Sequence, residues 1–319
     1  MPAEIKDLVS VIIPAYNADK YIKDTIDSVL KQTYPYFEII VVDDASQDKT
    51  VEIVRSFKDE RIRLIQHEKN QGPGAARNTA TEAAKGRWIA LLDADDQWHP
   101  QRLEKLIPLA VEGEEKYFVA DDSLLCFETP SGLKPWGSSL RLYCNFTSNE
   151  KAIILNLSEW FEYRRPEIHP IFPLNKIKIF DLKYNTTCFY GEDTEFYCHL
   201  FQCGLKLKIL TEPLYFYRLT PGSLTTKPEK FEHGIQMWER LMKENGFTDK
   251  ERKYFRIQIN NLKREKVFTF LKSAILNCEW RRALKLILIN PWLILEFSRR
   301  IPKSFRYRLK GKMLEGKIK

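Results

Sequence analysis

Short runs of β-branched residues alternate with stretches of helical period through the first hundred positions. Val9 to Ile13 predicts a buried strand, stopped by Pro14. Between Asp19 and Gln32, Tyr21, Ile22, Ile26, Val29 and Leu30 recur at spacings of one, three and four, which predicts a helix with one packed face. Phe37 to Val42 predicts a second strand that ends in Asp43 and Asp44. Ser46 or Asp48 can cap a helix through Thr50 to Phe57, and Ile62 to Gln66 predicts a third strand. The segment NQGPGAARNTATEAAKG opens as a Gly- and Pro-containing loop and continues as an alanine-rich helix ending near Gly86. Trp88 to Leu92 then runs as a strand straight into Asp93, Ala94, Asp95 and Asp96.

This rhythm predicts an α/β fold with a mostly parallel central sheet flanked by helices. Ligands of such sheets gather outside the carboxyl ends of the strands. Pro14-Ala15-Tyr16-Asn17, the Asp43 and Asp44 pair, and the DADD run therefore belong on one rim. The second half is less regular. Phe118 to Phe127 predicts one or two strands, and Gly132 to Asn149 reads as a long loop. Gly191 to Leu200, GEDTEFYCHL, predicts a helix with acidic residues in its first turn, where unpaired backbone N–H groups favour negative charge. Leu214 to Arg218 predicts a short aromatic strand before TPGSLT, and Phe231 to Glu244 and Glu251 to Cys278 form a helical C-terminal extension.

Charge sharpens this picture at one end only. The 319 residues carry 51 Lys or Arg and 43 Asp or Glu, a formal net charge of +8, and from Arg281 to Lys319 twelve basic residues face only Glu296 and Glu315. The bias admits an anionic partner, but there is no recognisable nucleic-acid module, and no nucleic acid is expected. Six cysteines lack metal-ligand spacing. No apolar segment follows a basic flank at the start of the sequence, so a cytoplasmic protein is the expectation. Ala283 to Phe297 comes nearest to the roughly eighteen uninterrupted apolar residues of a membrane span, but Lys285, Asn290 and Glu296 interrupt it. Two readings stay open for it: helices packed together and broken at Pro291, or an interfacial segment in peripheral contact with an anionic membrane.

Asp93 and Asp95, one residue apart at a strand end, can meet a divalent cation and a ribose hydroxyl along a common edge. Hard oxygen ligands without clustered Cys or His favour Mg²⁺ or Mn²⁺ over zinc. Asp43 or Asp44 can accept a hydrogen bond from a pyrimidine or a ribose, Tyr16 offers a flat face to a base, and Asn17 can orient its loop. Arg77 can approach base or phosphates, or pair with an acidic side chain. Glu192 and Asp193 form a second acidic pair; either caps its helix, or Asp193 removes a proton from an acceptor hydroxyl.

The segments VSVIIPAYNADKYIKDTIDSVLKQTYPYFEIIVVDDASQDKT, NQGPGAARNTATEAAKG, WIALLDADDQWHP and GEDTEFYCHL, in this order, resemble the family 2 glycosyltransferases of the inverting GT-A class found in bacterial surface-polysaccharide synthesis. The resemblance implies a nucleotide-diphosphate sugar donor, UDP-linked, in contact with Pro14, Ala15, Tyr16, Asn17, Asp43, Asp44, Arg77, Asp93 and Ala94. It further implies a metal on Asp95, Asp193 as catalytic base, and a β-linked product from an α-linked donor. Glu192 and, in YRLTPGSLT, Arg218, Ser223 and Thr225 are implied as acceptor or phosphate contacts, although the histidine many members carry there is replaced by Thr220 and Pro221. His169, His199 and His233 read as ordinary polar residues. The implied organisation is a donor-binding half over 1–105, an acceptor-binding half over 106–225 sharing its core, and a basic helical extension over 226–319. The acceptor is a glycan or lipid-linked glycan. Sugar-phosphate nucleotidyl transfer and noncatalytic carbohydrate or nucleic-acid binding are the alternatives; PAYN in place of a Gly-rich loop ending in Arg and Lys disfavours the first.

Overall fold

The computed structural model describes residues 5–293 and 296, apart from 114, 131, 145, 147, 148 and 221–228. The chain divides into two compact units, 1–256 and 257–319. The first begins with β1 (Val9–Ala15), α1 (Ile22–Leu30), β2 (Phe37–Asp43), α2 (Thr50–Ser56), β3 (Ile62–Gln66), α3 (Pro73–Ala83) and β4 (Trp88–Leu91). These strands pair in parallel in the order β3-β2-β1-β4. Val9, Val11, Ile12 and Ile13 are fully buried, as are Ile39 to Val42, because helices cover both faces of a parallel sheet.

Then come β5 (Gln97–Trp98), α4 (Arg102–Glu112), β6 (Tyr117–Thr129), β7 (Gly132–Ser138), α5 (Ser139–Cys144), β8 (Ala152–Leu155), α6 (Leu157–Glu162), β9 (Ile171–Pro173), α7 (Leu174–Ile179), α8 (Glu192–Gln202), β10 (Lys206–Arg218) and α9 (Lys230–Lys243). They extend the sheet through antiparallel β9 to β6, β10 and β5. The α/β class and the helical extension are as expected, with this half of the sheet mixed.

Gly132–Asn149, expected to be a loop, instead holds β7 and α5. Gly132, Pro135 and Gly137 hide the alternation there, and proline is tolerated because β7 pairs only with β6, at the sheet's edge. The strand expected over Leu214 to Arg218 starts eight residues earlier, at Lys206; register shifts on both sides of Pro213 divide it into two stretches.

Two buried polar groups lock the architecture. Ser10 in β1 donates to Glu38 Oε1 in β2 at 2.7 Å and accepts from the Gly86 N–H at 2.8 Å. A Cβ on Gly86 would lie 2.6 Å from the Ser10 nitrogen, so the turn into β4 admits only glycine. Arg102 at the start of α4 is completely buried, pairs with Asp121 of β6 at 2.7 Å and donates to the His169 carbonyl at 2.6 Å. Its guanidinium also lies 4.5 Å from the Trp98 ring centroid.

The C-terminal unit contains most of α10 (Asp249–Leu276) and all of α11 (Trp280–Ile289). Leu271, Ala274, Ala283 and Leu293 form its core, with Leu286, Ile287 and Trp292 packed against them. Among the described residues no helix is long and apolar enough to cross a membrane.

Arg102→Ala strips Asp121 of its counter-charge inside the core. Urea denaturation should show a loss of about 3–5 kcal/mol in unfolding free energy.

Candidate active site

The rim begins with two interlocked loops. Asn17 and Ala45 both adopt left-handed backbone conformations, φ 49° and 63°. The Asn17 N–H donates to Ser46 Oγ at 2.9 Å, and the Gln47 N–H donates back to Asn17 Oδ1 at 2.8 Å. These bonds hold the turn that leaves Tyr16 50% exposed at the end of β1. Pro14 and Ala15 continue the β1–β2 ladder opposite Val42 and Asp43.

Asp43 and Asp44 are both buried but differently engaged. Asp44 accepts from the N–H groups of Gln71 and Gly72 at 2.9 and 2.7 Å and contacts His67 Nδ1 at 2.7 Å, so it fixes the loop ahead of α3. Asp43 Oδ2 accepts from the Ser46 N–H at 3.2 Å, whereas Oδ1 is buried and meets no donor among the described residues.

At the centre stands Arg77, on α3. One guanidinium nitrogen lies 2.8 Å from Asp93 Oδ1 and another 2.7 Å from Glu192 Oε1. Of the two contacts open to it from sequence, pairing with acidic side chains is the one observed. The end of β4 is thereby tied to the start of α8, far along the chain. Burial alone would raise the Asp93 carboxyl; Arg77 and His169 outweigh it and hold the group well below the usual carboxylate range. Burial pushes the Glu192 carboxyl up, against the pull of Arg77.

His169 reads as an ordinary polar residue in sequence, yet its Nε2 lies 3.5 Å from Asp93 Oδ2. Its ring stacks on Tyr215 at 3.9 Å and 6°, and its Nδ1 is buried without a partner among the described residues. No motif marks it: it precedes the three-residue β9, too short to give a period.

Asp95 and Asp96 divide two tasks. Asp96 is buried, accepting from the Tyr215 hydroxyl and the Arg218 N–H, each at 2.7 Å. It anchors β10 to the β4 rim. Burial and the neighbouring Asp95 and Asp93 charges push its carboxyl well up. Asp95 is partly exposed and accepts from Thr220 Oγ1 at 3.2 Å; burial and Asp93 raise its carboxyl too. Arg218 Nε donates to the Asp95 carbonyl at 2.7 Å and Nη1 to Glu128 at 3.0 Å, while Nη2 is buried and unpartnered among the described residues. Ala94 is buried, its carbonyl accepting from Thr25 Oγ1 at 2.9 Å. Ser223 and Thr225 lie outside the described residues.

One oxygen of Asp93, one of Asp96 and one nitrogen of His169 lie within 4.8 Å of one another, a grouping able to hold a metal ion. Both Asp96 oxygens already accept hydrogen bonds and the two Asp93 oxygens face Arg77 and His169, so Asp95, with Thr220 on one oxygen, is the least engaged of the three. Crowded carboxylates whose charge burial disfavours suit a hard divalent cation.

α8 starts after Gly191, whose φ of 84° a side chain would strain. Asp193, in its first turn, is partly exposed, and its Oδ1 accepts from the Thr194 N–H at 2.5 Å. Glu195, two residues on, pairs with Arg240 of α9 through two bonds of 3.0 and 2.9 Å. Glu167 was not singled out by sequence. Its N–H donates to Ser139 Oγ and its carbonyl accepts from Ser123 Oγ, both at 3.2 Å, so its backbone is pinned while its side chain meets solvent. The surrounding chain pushes its carboxyl up, Asp193 and Asp93 add to the shift, and His169 opposes it.

The Glycosyl transferase family 2 model matches residues 10–123. UDP-Glc:alpha-D-GlcNAc-diphosphoundecaprenol beta-1,3-glucosyltransferase WfgD of Escherichia coli is 42% identical over 118 residues, 37% of this chain and 47% of that protein, so the shared stretch spans less than half of that relative. The uncharacterized glycosyltransferase MJ1057 of Methanocaldococcus jannaschii is 32% identical over 219 residues, 67% of this chain and 71% of the other. S. aureus TarS 1-349, solved in complex with UDP-GlcNAc, shares the fold with a TM-score of 0.63 at 20% identity, over 88% of this chain and 79% of that one.

Because the native state holds Asp93 ionised, the Asp93–Arg77 pair contributes stability above the unfolded carboxyl value near about pH 4, and that contribution is lost as pH falls through the lower folded value. The gap in unfolding free energy between the native sequence and Asp93→Asn should therefore narrow on acidification below about pH 4, read by urea melts across pH.

Proposed function

Since the chain belongs to glycosyl transferase family 2, we propose that it is an inverting enzyme moving a hexose or N-acetylhexosamine from a nucleotide-diphosphate sugar, UDP-linked, to a glycan or lipid-linked glycan hydroxyl. The observation that carries this reading is the double ion pair of Arg77, which brings Asp93 at the strand end and Glu192 at the acidic start of α8 onto one guanidinium. The UDP-glucose donor and diphosphoundecaprenol-linked acceptor in the name of WfgD support the substrate classes.

Tyr16 stacks on the base, and the unfilled Asp43 Oδ1 accepts its N–H; Asn17 and Asp44 hold the loops that make this slot. Asp93 takes a ribose hydroxyl, and Asp95 would hold Mg²⁺ or Mn²⁺. Such an ion neutralises charge on the departing diphosphate when bound. Arg77 acts through its partners, keeping Asp93 ionised and Glu192 in place. Arg218, whose Nη2 has no partner among the described residues, contacts the diphosphate.

Asp193 accepts the proton of the acceptor hydroxyl as that oxygen bonds to the anomeric carbon. The carbon–oxygen bond to the diphosphate breaks, the nucleoside diphosphate leaves, and the configuration inverts. Glu167 receives a second hydroxyl of the acceptor and orients the first.

A donor panel with lipid-linked and soluble acceptors, followed by product mass, tests the reading. Asp193→Asn should lower kcat by about 10²–10⁴-fold while UDP binding by calorimetry is kept; an unchanged kcat would remove Asp193 from the reaction. Chelation should abolish turnover and added Mn²⁺ or Mg²⁺ restore it, with no restoration in Asp95→Asn. Glu167→Gln should raise the acceptor KM while kcat falls far less than in Asp193→Asn.

A further inference from the structure

Helix α11 is apolar on two sides. Ala283, Leu286 and Ile287 turn toward the core of the C-terminal unit. Trp280, Leu284 and Leu288, spaced by four residues, form a second stripe that is 53%, 60% and 78% exposed. Ile289 and Leu276, at 66% and 57%, extend the exposed apolar surface at the two ends. Each Leu left in water forgoes roughly 1.5–3 kcal/mol of burial, so a continuous stripe of this kind marks a surface that something covers.

Charge identifies the cover. On the helical projection Arg281 and Lys285, both exposed, border the stripe on the side away from the core. The helix WRRALKLILI has no acidic residue, and Glu279 just before it is neutralised by Arg282 at 2.9 Å. The sequence from 297 onward adds nine Lys or Arg against Glu315 alone. A second copy of this chain would bring like charges together, whereas an anionic lipid surface complements them. Trp292, in the same apolar segment, is engaged elsewhere: it packs on the unit's own core with Arg264 at 5.0 Å from its ring.

We infer that the Trp280–Leu284–Leu288 face of α11 lies in the headgroup region of an anionic membrane, with Arg281 and Lys285 at the phosphates and the basic C-terminal sequence adding long-range attraction. This assignment is independent of the transferase chemistry.

Co-sedimentation of the full chain with vesicles of phosphatidylcholine alone, or mixed with phosphatidylglycerol, tests it. Binding should require phosphatidylglycerol and weaken with added salt. Leu284→Asp/Leu288→Asp should cut partitioning by at least about tenfold, and Leu288→Ser alone should reduce it less; circular dichroism melts matching the native chain show that the exposed positions leave folding intact. Binding unchanged in the double variant would overturn the inference, because the basic tail would then suffice. So would absence of vesicle binding together with a concentration-dependent dimer, seen by analytical ultracentrifugation and lost in the double variant.

Discussion

The guanidinium of Arg77 lies between two carboxylates that the chain order keeps far apart, Asp93 at the end of β4 and Glu192 at the head of α8. Asp93 is only partly buried, while Glu192 is buried and relies on this guanidinium, since an unpaired charge in the interior costs several kcal/mol. With it, the parallel half of the sheet and the helix bearing Asp193 share one electrostatic centre. The histidine beside Asp93 joins the same centre, and its backbone carbonyl is held from below by Arg102, itself paired with Asp121. Two buried arginines thus set the positions of the acidic groups around them.

Consecutive aspartates share the remaining work by depth. Asp96 faces inward and ties Tyr215 and the end of β10 to the rim, Asp93 faces Arg77, and Asp95 keeps a partly exposed carboxylate. One short segment therefore supplies an anchor, an ion-pair partner and a partly exposed carboxylate. A turn gives this division: the Asp96 N–H donates to the Asp93 carbonyl at 3.1 Å, so the three side chains leave a reversing backbone in different directions.

Residues at strand ends of the first hundred positions were legible because local pattern and function coincide there. The β-branched runs of β1, β2 and β4 are buried on both faces, and each stops at the polar phrase it presents. Glu167 and His169 were not legible, since both belong to an irregular stretch whose position comes from Ser123, Ser139, Arg102 and Tyr215, all distant in sequence. β7 was missed for a similar reason: Gly132, Pro135 and Gly137 suit an edge strand whose partner, β6, supplies the order. Arg77 lay between these cases. Its place near the first turn of a small-residue helix was readable, while its choice of partners depended on how α8 packs.

The bidentate contact between Glu195 and Arg240 has a consequence for how the chain can be divided. α8 carries Asp193, and the buried Glu195 two residues on relies on α9 for its counter-charge. A polypeptide cut between β10 and α9 would keep every strand and every residue of the rim, yet α8 would carry an uncompensated acid on its packed side. The smallest autonomously folding fragment therefore reaches through α9, and a recombinant truncation or a protease nick in front of that helix would unseat α8 before disturbing the sheet.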